Sequence, residues 1–299
     1  MSSTNPPCLN GISRSIQYMV LSTLCFTIMQ SLIKLLPQFN SAQHIFFRSM
    51  IGWLMSVACL RYTGVSLVGK NQSMLVFRGL VGSISMFSFF YILTHIPFGS
   101  AVAFKYLSPI ATAAFAVVFL GERVSNRQWL FYAITFSGVL LLKGFNPRIS
   151  VFDMGIGLLS AVSGGLLAII IRHIGDDDHP LVILHYFMAI SAMLGGVGAL
   201  TDWHTPTLAD IGWLLLIGIV GFWAQNFMTK SIQAPTEDIS FLAIIRYSEV
   251  FFAIIVGYVA FDEHYSWQSI LGMVLIFTGQ LLSFRRRARP ADNAKQLDL

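Results

Sequence analysis

Apolar segments follow one another from end to end of this chain. Each is about 17–25 residues long, enough to cross a ~30 Å hydrocarbon layer at ~1.5 Å per residue. Ten helices are expected, at 15–36, 43–62, 72–94, 98–119, 127–144, 153–173, 181–200, 208–230, 237–261 and 266–284. Little chain is left between them for a soluble domain. Periodicity does not separate a membrane helix from a buried core helix; the length and number of the runs do. The charge balance agrees, since only 11% of the 299 residues are charged and 55% are hydrophobic, against about 25% charged in a soluble domain.

Two strings inside these runs stand out. Lys105-Tyr106 and Arg246-Tyr247 each precede a glutamate, Glu122 and Glu263, that closes its run. One offset of 141 residues (Lys105 to Arg246) superposes both landmarks and also carries Gly138 onto Gly279. Gly79-Leu-Val-Gly82 likewise matches Gly218-Ile-Val-Gly221, and Pro97 and Pro235 close the corresponding runs. The chain therefore reads as an all-α integral membrane protein built from two five-helix repeats, residues 15–144 and 153–284. A polar tail of 1–14 precedes them and a basic tail of 285–299 follows. Five spans per half make the second copy enter the membrane from the opposite side, an inverted repeat.

The basic residues set the orientation. With the N-terminus inside, the inner loops and tails hold Arg14, Arg61, Lys70, Arg123, Arg127, Arg172, Lys230, Arg285, Arg286, Arg287, Arg289 and Lys295. The outer loops hold Lys143 and Arg148. Lys/Arg-rich loops are cytoplasmic, so both termini are expected inside. The 285–289 cluster reads as an anchor on anionic headgroups, and no nucleic-acid role is expected. Residues 1–14 lead straight into a full span, which speaks against a cleavable signal. The cysteines Cys8, Cys25 and Cys59 form no CxxC or Cys/His cluster, so neither a disulfide framework nor a structural zinc is expected.

Ten spans, a proline (Pro109) opening the apolar run 109–120, the ending Leu120-Gly121-Glu122-Arg123 and its degraded second copy Phe261-Asp262-Glu263 resemble the EamA family of the drug/metabolite transporter superfamily. The similarity covers about residues 15–284. It departs in the second half, where Val250 stands opposite Pro109 and Asp262 replaces glycine. The resemblance and the inverted repeat together imply a secondary transporter working by alternating access. They imply a multi-pass protein of a bacterial inner membrane, with a small-molecule substrate and lipids as partners and no cofactor. A coupling ion or counter-substrate and a homodimer are compatible with that reading. Export of amino acids or hydrophobic cations is the alternative; a channel or membrane enzyme ranks lower. The string Arg172–Pro180 offers aspartates and histidines, but no second acidic motif faces it as a diphosphate-binding metal site would require. Its aspartates are expected to keep a loop solvated. The glycine-rich stretches contain no phosphate-loop pattern.

Charged residues within spans are functional-site candidates. Basic residues at Lys34, Arg48, Arg78, Lys105 and Arg246 face a single clearly internal acid, Glu249. Lys34 lies near the outer end of its span and is expected to snorkel to headgroups. Arg48 is open between a structural role, including a pair with Glu249, and binding. Arg78 precedes a small-residue face at Gly82 and Ser85. Lys105 lies on the order of 20 Å from the inner end of its span and has Ser108, Pro109 and Thr112 on its face, with a kink expected. Glu249, three residues beyond Arg246, is expected to neutralise that arginine and is the candidate coupling residue. Tyr106, Tyr247, Gln225 and Asn226 complete the candidate substrate site, each with helix packing as the plain alternative. His173 and His185 read as packing residues. The excess of buried positive charge points to an anionic or zwitterionic solute. No metal site is expected.

Overall fold

The computed structural model describes residues 9–121, 125–145, 149–174, 178–233 and 239–287. Among the described residues every regular element is an α-helix. In chain order these are α1 (Leu9–Lys34), α2 (Ser41–Thr63), α3 (Gln72–His95), α4 (Phe98–Lys105), α5 (Ser108–Leu120), α6 (Asn126–Phe145), α7 (Val151–Ile174), α8 (Pro180–Ala199), α9 (Leu208–Gln233), α10 (Ile239–Phe261) and α11 (Trp267–Arg287).

Local chemistry explains where they start and stop. Asn40 and Asn71 cap α2 and α3 by accepting the backbone N–H of Gln43 and Met74. Reciprocal capping pairs open α6 (Ser125 with Gln128), α7 (Ser150 with Asp153) and α9 (Thr207 with Asp210), each satisfying two orphan donors at once. Gly64 and Gly121 end α2 and α5 in the left-handed region, at φ 69° and 65°.

One expected span is two helices. The apolar run 98–119 breaks at Tyr106-Leu107, where the backbone tightens to Tyr106 N–Ala103 O and Leu107 N–Phe104 O bonds of 3.1 and 3.0 Å. Pro109 is the cause: it lacks an N–H, and its ring collides with the carbonyl four residues back, that of Lys105. In the second half Val250 makes no such demand, and α10 runs unbroken through 239–261.

Among the described residues six runs are long and apolar enough to cross a membrane: those in α1, α3, α4–α5 together, α7, α8 and α9. Helix α2 is more polar, but its Gln43, His44, Arg48, Ser49 and Ser56 are buried, while Leu54 is exposed. Large apolar side chains such as Val118, Phe119, Met193, Phe251 and Val259 also lie on the surface. Buried polar groups under an apolar exterior are the informative inversion; they identify a multi-pass membrane protein.

Helix pairing runs between the halves. Helix α1 packs on α9 and α10, α2 on α8 and α9, α3 on α7 and α8, α5 on α7, α4 on α10, and α6 on α11. Exchanging α1, α2, α3, α4–α5 and α6 with α7, α8, α9, α10 and α11 maps each of these pairings onto another of them, while the contacts of α4 with α11 and of α2 with α3 fall outside the exchange. Individual residues repeat the relation. A Cβ on Gly138 would meet Gly272 O and Ile276 N at 2.5 and 3.0 Å, and one on Gly279 would meet Phe131 O and Thr135 N at 2.7 and 2.9 Å. Likewise Gly79 faces Ile190 and Gly218 faces Ile51, while Gly82 faces Phe187 and Gly221 faces Arg48. The absent side chains let the helices approach closely.

Candidate functional site

Where the halves meet, α1, α2, α3, α7, α8 and α9 and the α4–α5 break line a partly open cavity of about 210 Å³. Four of the sequence candidates line it: Arg48, Arg78, Lys105 and Gln225. The break at Pro109 places Lys105 on the last turn of α4, where a cation also meets the favourable end of the helix dipole.

Glu249 stands behind Lys105 and is 1% exposed. Lys105 Nζ lies 2.8 Å from its Oε1 and 3.2 Å from its Oε2. The Tyr106 hydroxyl donates to Oε2 at 2.8 Å, and Gln30 Nε2 donates to Oε1 at 2.7 Å. The sequence assigns this acid to Arg246, whose side chain lies outside the described residues, and leaves Lys105 with serine and threonine hydroxyls on its face. The structure corrects the second expectation: α10 carries Glu249 to the first half, where Lys105 and Tyr106 grip it together. Lys105 also rests over the rings of Phe26 and Phe89, at 4.7 and 5.5 Å.

The two arginines are held differently. Arg48 and Arg78 are each 4% exposed. Arg48 reaches the thioethers of Met29 and Met86, at 3.2 and 2.8 Å, and lies over Phe90. The pair with Glu249 that was open for Arg48 is not among these contacts. Arg78 lies over Phe187 at 4.2 Å, and its Nε and Nη1 are buried without a hydrogen-bond partner. A desolvated cation–π contact is worth about 2 kcal/mol, short of the several kcal/mol that burying a cation costs. The cavity is therefore electrostatically under-compensated among the described residues.

A second charged cluster closes the end of the bundle that carries the 35–40, 96–97 and 262–266 connections. Lys34 pairs with Glu263 at 2.6 Å and donates to Ile96 O at 2.8 Å. Lys34 was expected to snorkel; its side chain is only 14% exposed. Glu263 accepts the backbone N–H of Phe98 and a 2.5 Å bond from the Tyr265 hydroxyl, which itself accepts from Gly99 N. These are the orphan donors at the start of α4, so a carboxylate from the α10–α11 turn caps a helix of the other half. Beside this latch, Ile33, Ile92, Leu93, Phe98 and Ala101 are fully buried.

The Tyr265 phenol is pushed up from its ordinary value by burial first, and then by its bond to Glu263. An unfolded tyrosine ionises near pH ~10, so the folded state holds this proton more tightly. The contribution is intact below that pH and is lost as pH rises above it. The melting-temperature gap between wild type and Tyr265→Phe is expected to narrow as pH rises past about 10; a gap independent of pH would show that the hydroxyl does not anchor the latch.

The EamA-like transporter family matches residues 13–143 and, a second time, 153–285. The chain belongs to that family. It is 31% identical to the pseudopaline exporter CntI of Pseudomonas aeruginosa, over 86% of this chain and 91% of the exporter. It is 28% identical to an uncharacterized transporter of Helicobacter pylori, over 91% and 95% of the two chains. The S-adenosylmethionine uptake transporter of Rickettsia prowazekii is 26% identical over 91% of this chain and 92% of its own. A crystal structure at 18% identity superposes with a TM-score of 0.61, covering 92% of this chain and 98% of the other; that likeness concerns the fold.

The EamA-like family and these relatives are transporters, not enzymes. Asp178, from the acidic string, is buried and accepts the backbone N–H of Lys70 and Asn71; it pins the α2–α3 connection and does not solvate a loop. Asp176, Asp177 and Glu122 lie outside the described residues, and no metal-holding cluster occurs among those described. Arg246 and Tyr247 fall on the backbone of α10, but their side chains are outside the described residues. Asn226 is half-buried on α9 and is not among the cavity-lining residues. His185 packs at the α2–α8 contact, near Ser56 and Trp53. Sequence reasoning passed over Gln30, Met29, Met86 and Phe187. Gln30 was findable, because it is a polar residue deep in an apolar run, the criterion that selected Gln225.

Proposed function

We propose that this EamA-like transporter is a secondary carrier that moves a small anionic or zwitterionic metabolite by alternating access. Its ten spans form two inverted five-helix halves with both termini in the cytoplasm of a bacterium, and the inner membrane is its site. The observation that carries the reading is the excess of buried positive charge around one cavity between the halves. A cation-selective site would place acids there, yet Glu249 is already engaged by Lys105. The exchange-symmetric helix pairing supports rocking of one half against the other, with the Lys34–Glu263–Tyr265 latch as a contact that has to open. The named relatives include an exporter and an uptake carrier, so membership of the family is compatible with either direction.

Arg48, Arg78, Gln30 and Gln225 are assigned to the solute, with Lys105 linking it to Glu249 and with Arg246 and Tyr247 completing the site from α10. Glu249 is the coupling residue, because a solute anion that draws Lys105 away leaves this carboxylate able to take a proton. The test is counter-flow in proteoliposomes with labelled glutamate, malate, sn-glycerol 3-phosphate and tetraphenylphosphonium. Saturable, trans-stimulated exchange of a negative or zwitterionic solute is expected, and a Glu249→Gln variant is expected to lose its response to a pH gradient. Exchange of tetraphenylphosphonium alone would sink the reading, and an intact pH response in the variant would remove Glu249 from coupling.

A further inference from the structure

We infer that the cavity is a receptor for a solute with two negative charges, a phosphate monoester or a dicarboxylate, held by Arg48 and Arg78. The inference rests on the carrier reading above and narrows its solute. Three described cations line the cavity, and Lys105 is matched by Glu249 at 2.8 Å. Among the described cations two guanidiniums remain. A zwitterion would leave both uncompensated and a monoanion would leave one; a dianion matches the pair.

Hydrogen-bond inventory points the same way. Arg78 Nε and Nη1 are buried without an acceptor. Arg48 Nε and Nη1 face only the sulfurs of Met29 and Met86, which are weak acceptors on side chains flexible enough to move aside. A guanidinium offers planar, fixed donors that suit carboxylate and phosphate oxygens. Two of the lining serines are committed to each other's backbone: Ser85 donates to Ser160 O and Ser160 to Ser85 O, at 2.9 and 3.1 Å. The arginines, Arg48 from α2 and Arg78 from α3, are the charged donors on offer to an oxyanion.

Each of them stands beside a glycine. A Cβ on Gly82 would lie 3.6 Å from Arg78 Nη1, and one on Gly221 would lie 3.1 Å from Arg48 Nε. These are matching positions of the two Gly-x-Val-Gly strings, and the first atoms a Cβ would meet there are the ring of Phe187 at 2.9 Å and Met29 Sδ at 2.8 Å, so each glycine admits the side chain packed against its guanidinium. On the α1 wall Gln30 Nε2 is spent on Glu249, and its Oε1 is buried without a partner. That acceptor suits a hydroxyl or amine on the solute. The volume of about 210 Å³ lies below the roughly 300–1,000 Å³ of sites for drug-sized ligands, in keeping with a compact metabolite.

The experiment is thermal unfolding of the purified full chain in detergent with malate, sn-glycerol 3-phosphate, lactate, glycine betaine or choline. A ligand that binds the folded state raises the midpoint with concentration. Malate or glycerol 3-phosphate is expected to do so, the two distinguishing dicarboxylate from phosphate; lactate, betaine and choline are not. Arg78→Gln is expected to weaken the effective dianion by at least ~10-fold. Its ligand-free midpoint should equal or exceed that of wild type, because the substitution removes an uncompensated buried charge. Arg78→Lys, which keeps the charge but loses the fork, should fall between them. Stabilisation by lactate or betaine equal to that by the dianions would overturn the dianion assignment and leave the carrier reading standing. Choline alone would overturn both, and no response to either dianion, or an unchanged affinity in both Arg78 variants, would overturn the assignment.

Discussion

Replacing Lys105 by methionine is expected to cost about 3–5 kcal/mol of stability, because it leaves Glu249 charged and unpaired in the interior. The carboxylate is 1% exposed and keeps only Gln30 and Tyr106 as described donors once Lys105 is gone. The single substitution is therefore a folding lesion as well as a transport lesion. Lys105→Met combined with Glu249→Gln should recover most of the loss, since removing both charges of a buried pair is close to neutral. Denaturant or thermal unfolding of the two singles and the double forms a cycle whose coupling term reads the pair directly. A double mutant no more stable than Lys105→Met would show that the two groups are not energetically linked. Transport should be absent in the double even where folding is restored, which separates the two roles.

Gly279→Leu is expected to separate α6 from α11 and lower stability by about 3 kcal/mol or more, beyond ordinary overpacking of about 1–3 kcal/mol. The obstruction is backbone: a Cβ there would stand 2.7 Å from Phe131 O and 2.9 Å from Thr135 N. A flexible side chain would yield; a helix backbone yields only by moving the helix. Gly138→Leu should behave alike, with Gly272 O at 2.5 Å. Gly155, whose Cβ would meet nothing within 4 Å, is the control, and Gly155→Ala should change the melting temperature little. A Gly279→Leu midpoint equal to that of wild type would mean that the α6–α11 crossing is looser than described.

Much of the site was legible because burial of charge in an apolar chain is conspicuous. Arg48, Arg78 and Lys105 stood out by depth alone, and all three line one cavity. Pro109 announced a distortion, and its missing N–H breaks the run at Tyr106-Leu107. The partners were not legible. Spacing offered Glu249 only Arg246, three residues away, and the structure adds Lys105, Tyr106 and Gln30, the last 219 residues distant in sequence. Lys34 was placed at the lipid headgroups, and a turn from the other half supplies Glu263 to it. Spacing along a helix ranks only neighbours on that helix, and here the decisive neighbours are on others.

The sequence by itself determined that this chain is a helical membrane protein and which of its residues carry charge into the bilayer. Those properties follow from segment length, composition and the cost of burying a cation, and none of them needs a contact map. Only the tertiary structure decided which cations are matched and which are not. The pairing of one half with the other carries Glu249 to Lys105 and Glu263 to Lys34, and it surrounds Arg78 with a phenyl ring and open space. Distances between helices set those matches, and they arise from close approach at glycines such as Gly82, Gly138, Gly221 and Gly279.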